Sequence, residues 1–117
     1  MPATFKDLCL DANDDRALAE WWCTAMGYTL RLGTKDEYEG KWVGAIEDPA
    51  GAGPVIWINK VPETKTLKNR MHLDVKGDVQ ELLDLGATLV RAQDEEIGWT
   101  ILADPEGNEF CVFAPKD

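Results

Sequence analysis

Along residues 5–12 apolar and polar side chains alternate, with Leu8, Leu10 and Ala12 on one face and Phe5, Asp7, Cys9 and Asp11 on the other. Period two is the signature of a half-buried strand. The period then lengthens. Over residues 15–26, Leu18, Trp22 and Ala25 recur at helical spacing with Trp21 alongside, which predicts an amphipathic helix covering a sheet. Asn13 or Asp14 is placed to accept from its first free N–H groups, and Gly27 to end it in the left-handed conformation. Strands are expected at 28–33, 42–47 and 55–59, with a polar, acidic loop at 34–41 between the first two. Residues 61–68 carry Pro, Thr and Lys without an apolar period, and read as a linker.

The pattern then repeats. In residues 70–75, Met71, Leu73 and Val75 share one face, and His72 and Asp74 the other. Asp78 followed by Glu81 suits a helix start. Val79, Leu82, Leu83 and Leu85 form a short apolar stripe ending at Gly86, and a helix of about two turns depends on packing to persist. Strands follow at 88–92, 99–103 and 109–113, with Glu109, Cys111 and Phe113 opposite Phe110 and Val112. Asp48-Pro49-Ala50-Gly51 in the first half is answered by Asp104-Pro105-Glu106-Gly107 in the second. In each, Pro presets φ for a tight turn and Gly tolerates its end. The order strand–helix–strand–strand–strand, met twice, marks an internal duplication.

Composition narrows the partners. Twenty-two acidic residues against 12 basic ones give a formal charge of −10 in 117 residues, which repels a nucleic-acid backbone. No apolar run reaches the roughly 20 residues that span a bilayer, and the opening residues lack the basic and apolar parts of a secretory signal. The expected location is the cytoplasm, with no membrane partner. Three cysteines without paired spacing fit reduced thiols there.

The strings Lys68-Asn69-Arg70-Met71-His72-Leu73-Asp74 and Asp104-Pro105-Glu106-Gly107-Asn108-Glu109-Phe110-Cys111, set in a tandem βαβββ repeat, resemble the vicinal oxygen chelate superfamily. That superfamily includes glyoxalase I, extradiol dioxygenases, and bleomycin- and fosfomycin-resistance proteins; the bacterial glyoxalase-like domains are the nearer likeness. The resemblance covers nearly the whole chain. It implies an α+β fold in which tandem βαβββ modules form a cup-shaped, partly open mixed sheet with helices outside. A single glyoxalase-like domain would then occupy residues 1–117, with module one at about 1–60, the linker at 61–68 and module two at about 69–115. The second helix is about a turn shorter than is usual in that family.

The resemblance also implies four metal-ligand positions at the floor of the cup, which fall here on Asp7, Trp57, His72 and Cys111, the last seven positions after Asp104. His72 keeps an imidazole and Asp7 offers a carboxylate, but an indole cannot ligate. The expectation is therefore a small-molecule-binding protein without metal or other cofactor. In it His72 and Asp7 are the candidate catalytic groups, because imidazole exchanges protons near neutral pH. Trp57, Cys111, Glu109, Asp74, Phe5, Cys9 and Trp99 are candidate ligand contacts, giving an aromatic pocket with a few polar groups. Glu109 is placed at the rim, one pleat from the ligand position. His72 is also placed to be held by Asp74 or Asp7, and Lys68, Asn69 and Arg70 either to face an anionic group or to tie down the linker. Two alternatives stay open. A metal-dependent lyase, isomerase or dioxygenase would hold a divalent ion at His72, Asp7 and Cys111, a set compatible with zinc. A resistance protein would sequester its drug without turnover. The resemblance further implies a homodimer, since small members of that superfamily pair to bury sheet edges and an apolar flank.

Overall fold

The computed structural model describes residues 2–115, which divide into one unit ending at Glu63 and a second beginning at Thr64. The first contains β1 (Leu8–Ala12), α1 (Asp15–Met26), β2 (Thr29–Leu32), β3 (Trp42–Glu47) and β4 (Ile56–Lys60), with one 3-10 turn at Asp36–Tyr38. The second contains β5 (Asp74–Lys76), α2 (Val79–Leu85), β6 (Thr88–Arg91), β7 (Thr100–Ala103) and β8 (Glu109–Phe113). Each unit forms an open four-stranded mixed sheet, in the order β1-β4-β3-β2 and β5-β8-β7-β6. The two orders are one permutation, so the duplication read from the sequence is a duplication of topology. In both sheets the first strand runs parallel to the last and the remaining pairs are antiparallel.

Caps fix α1 at both predicted ends. Asp14, rather than Asn13, accepts from Ala17 N–H at 3.1 Å, and Gly27 closes the helix at φ 73°. Asn13 instead donates to the carbonyls of Val61 and Glu63, both at 2.9 Å. α1 buries Leu18, Ala19 and Trp22 and packs on β4, β3, β2 and β1. It meets the sheet face bearing the buried Ala12, Ile46, Ile56 and Ile58. Removing Leu18 or Trp22 from water contributes about 1.5–3 kcal/mol each. Trp21 meets Trp22 edge to face at 5.0 Å, the packing role expected of both. Asp78 caps α2 through Glu81 N–H at 3.0 Å. α2 buries Leu82, but Leu85, placed in the predicted stripe, is 37% exposed.

The two Asp-Pro turns close as expected, with Gly51 N–H on the Asp48 carbonyl and Gly107 N–H on the Asp104 carbonyl, each at 2.9 Å. The strand predicted over 70–75 is corrected. β5 starts at Asp74, and Met71, assigned there to a buried face, is 79% exposed. Ahead of β5 the bond from Cys111 N–H to the Leu73 carbonyl, 2.9 Å, holds the chain to β8. Likewise β1 begins at Leu8, and Phe5 lies ahead of it, 72% exposed.

Candidate functional site

Strand register assembles the site of the second unit. β5 pairs with β8 so that Asp74 faces Cys111, and the next pairing sets Cys111 against Ile101 on β7. Alternation then puts Asp74 and Cys111 on the face opposite the buried Phe110 and Val112. His72, two residues before Asp74, reaches the same place. Its Nε2 lies 3.3 Å from Asp74 Oδ1, so of the two predicted partners for the imidazole, Asp74 is the one that pairs. Nitrogen, oxygen and sulfur atoms of His72, Asp74 and Cys111 lie within 4.8 Å of one another. Cys111 is buried, whereas His72 and Asp74 are exposed. Burial, then the charge and hydrogen bonding of Asp74, push the Cys111 thiol up; Lys68 and the Trp99 indole oppose this without cancelling it.

Trp99 also lies against Phe113, with ring centroids 5.6 Å apart. Beside Asp74 an open hollow of about 420 Å³ is lined by Val75, Lys76, Gly98, Phe113 and Ala114, within the range of small-molecule sites. Glu109 is occupied otherwise. Its carboxylate accepts from Lys65 Nζ at 3.1 Å and from Asn69 N–H at 3.1 Å. Burial pushes Glu109 up, but those two donors outweigh it and hold the carboxyl below its ordinary range. The segment before β5 is therefore tied down by Asn69, which also reaches Asn108 at 3.2 Å.

In the first unit the counterparts of these positions form a different constellation. Cys9 pairs with Trp57, and Trp57 with Ala45. Asp7, two residues before Cys9, accepts from the Trp57 indole N–H at 2.9 Å and from Lys6 at 2.8 Å. The Lys6 bond and then the indole bond hold the Asp7 carboxyl below its ordinary range. Two cations stand over the Trp57 ring, Lys6 at 5.5 Å and Arg31 at 5.6 Å. Cys9 is exposed, its thiol 2.7 Å from the Asn59 amide.

The donor set decides how a metal would be held. The metal-using alternative named His72, Asp7 and Cys111; the group of donors that converges in the second unit is His72, Asp74 and Cys111, while Asp7 in the first unit bonds Lys6 and Trp57. Imidazole, carboxylate and thiolate suit a borderline ion such as zinc better than magnesium or manganese. His72, Asp74 and Cys111 are the residues that would hold such an ion. The residues fit, and the expectation of no cofactor is left without support. Sequence reasoning paired His72 with Asp74 but did not count Asp74 among the metal donors, because the family likeness put that position on Asp7. It also missed Lys65 and Asn69 on Glu109, for which the sequence holds no periodic signal.

The profile of the glyoxalase-like domain family matches residues 7–113. No curated protein matches at a significant level. Among solved structures, FosX of Listeria monocytogenes, a fosfomycin resistance protein crystallised with Mn(II) and sulfate, superposes with a TM-score of 0.66 at 12% identity. The match covers 99% of this chain and 93% of that one. A glyoxalase/bleomycin resistance protein/dioxygenase family enzyme from Burkholderia phytofirmans PsJN gives 0.63 at 19% identity over 96% and 98% of the two chains. TnmS3, an antibiotic binding protein from Streptomyces sp. CB03234, gives 0.59 at 18% over 99% of each. At these identities the likeness is one of fold. The matched profile spans nearly all of the chain, which therefore belongs to the glyoxalase-like domain family.

Proposed function

We propose that this protein binds a small organic molecule, with His72, Asp74 and Cys111 as the polar centre and Trp99 and Phe113 as apolar surface beside it. The observation that carries the reading is the convergence of three chemically distinct side chains next to an open hollow. The Asp74 carboxylate orients the imidazole of His72, and such a pair can hold or pass a proton at a bound ligand. Phe5, Asp7, Cys9 and Trp57 are further candidate contacts, on the first unit. Residues 1–117 act in this reading as one glyoxalase-like domain.

The neighbours favour drug or metabolite sequestration as the form this binding takes, since one is an antibiotic binding protein and another a fosfomycin resistance protein. The convergence of donors favours a second reading, a metal-assisted lyase, isomerase or dioxygenase. His72, Asp74 and Cys111 would hold the ion, which when bound polarises a substrate oxygen. A thermal-shift screen of small aromatic and antibiotic-like molecules, run with zinc and with chelator, separates the two. Ligands that stabilise the chelated protein, and bind His72→Gln at least about tenfold more weakly, support the first. Binding or turnover that chelation abolishes and one added metal restores supports the second. Ligands bound equally well by His72→Gln would reject both.

The same reading makes the chain a cytoplasmic homodimer. Among the described residues no helix is long and apolar enough to cross a membrane, and reduced thiols at Cys9, Cys23 and Cys111 suit a reducing compartment. Strand β6 is exposed along its whole length, with Leu89 55% and Val90 51% exposed, the kind of edge that a second copy covers. A single-subunit mass by light scattering at micromolar concentration would contradict the dimer.

A further inference from the structure

Arg31 sits where β2 slips register against β3, between Leu30 and Leu32. The slip leaves its side chain over the indole of Trp57, the guanidinium carbon 5.6 Å from the ring centroid. Arg31 is half-buried; among the described residues its side chain makes no hydrogen bond or ion pair, although its charge helps to hold the Asp7 carboxyl down. The neighbouring carboxylate is already committed. Asp7 Oδ2 accepts both Lys6 Nζ, at 2.8 Å, and Trp57 Nε1, at 2.9 Å. Two cations and one anion therefore meet at this ring. The local balance is one positive charge on a chain whose formal charge is −10. A guanidinium has five donors in a planar fork, and stacking on an aromatic face presents the fork edgewise.

From this we infer an oxyanion-binding subsite on the first unit. Arg31 would take the carboxylate or phosphoryl group of a small molecule through its side-chain donors, with Trp57 beneath the guanidinium. The recognition is bidentate and charge-assisted, the geometry in which Arg surpasses Lys. Lys6, 82% exposed and tethered to Asp7, supplies a second positive charge near the anion without being its main ligand. The inference goes beyond the reading of His72, Asp74 and Cys111 and does not rest on it: anion binding at Arg31 can fail while ligands still bind at His72, and the reverse.

The indole N–H of Trp57, bonded to Asp7, gives a local probe. Its NMR cross-peak, assigned by its loss in Trp57→Phe, is followed while benzoate or inorganic phosphate is added, with chloride at matched ionic strength as control. A saturable shift with one or both oxyanions, absent with chloride, is expected, and the one that acts tells carboxylate from phosphoryl recognition. Arg31→Gln should weaken binding at least about tenfold, and Arg31→Lys about threefold, because a point charge replaces the fork. Arg91→Gln, the same charge change in the other unit and away from the hollow, should leave affinity unchanged. Failure of both oxyanions to give a saturable shift, or equal binding by Arg31→Gln and Arg31→Lys and the unaltered chain, would overturn the subsite.

Discussion

Asp104 shows how much a single side chain decides. It is 2% exposed, and its Oδ1 accepts from Glu106 N–H at 2.9 Å, Asn108 N–H at 3.0 Å and the Asn108 amide at 3.1 Å. The turn could be read from Asp-Pro-Glu-Gly, but the clasp on Asn108 could not, because it depends on a burial that periodicity does not report. Asp104→Ala would leave those donors without their acceptor and should cost about 2–3 kcal/mol, measured by urea unfolding. Asp48, its repeat counterpart, is less buried, and the same change there should cost less. The thiols differ in the same way. Burial and Asp74 push Cys111 up, whereas Cys9 lies exposed. Iodoacetamide at pH 8 should therefore modify Cys9 at least about ten times faster than Cys111, by mass spectrometry of peptides. Equal rates would mean that Cys111 is accessible.

At the scale of elements, what the sequence made legible were those with chemical ends. α1 and α2 run as predicted because Asp14, Gly27, Asp78 and Gly86 mark their termini, and β8 because alternation and the Asp104 turn agree. β5 was misread for an equally specific reason: Met71, Leu73 and Val75 alternate, yet residues 70–73 precede the strand, which leaves Met71 exposed. What holds that segment is Glu109, through Lys65 and Asn69, a pairing across 40 and more residues. Its pH dependence follows by sign. A carboxyl held below its ordinary pKa in the folded chain stabilises fully above that range and progressively less as pH falls through the folded value. Glu109 is so held, and so are Asp48, through the N–H groups of Ala50 and Gly53, and Asp94, through those of Glu96 and Ile97. Stability should therefore fall as pH drops below the ordinary carboxylate range, and Glu109→Gln should flatten part of that fall while costing less than about 1 kcal/mol at pH 7. A pH profile of urea midpoints that is identical for Glu109→Gln and the unaltered chain would remove Glu109 from the account.

Across the molecule, one topology written twice carries two different constellations. Around the paired Cys9 and Trp57 of the first unit stand a carboxylate and two cations; around the paired Asp74 and Cys111 of the second stands an imidazole. The sequence disclosed the duplication because both halves share turn chemistry and period. It disclosed His72 and Cys111 through the family likeness. It offered Asp74 and Asp7 alike as partners of His72 and left Arg31 over Trp57 unread, since the choice and the contact depend on register and on a local slip. His72 is the sole histidine of the chain, so its imidazole C–H signals report on the proposed centre without ambiguity. The decisive measurement follows those signals by NMR while molecules that stabilise the protein in the thermal screen are added. The account predicts a saturable shift of the imidazole signals that tracks the stabilisation. Ligands that stabilise the fold to saturation while the imidazole signals stay still would contradict it.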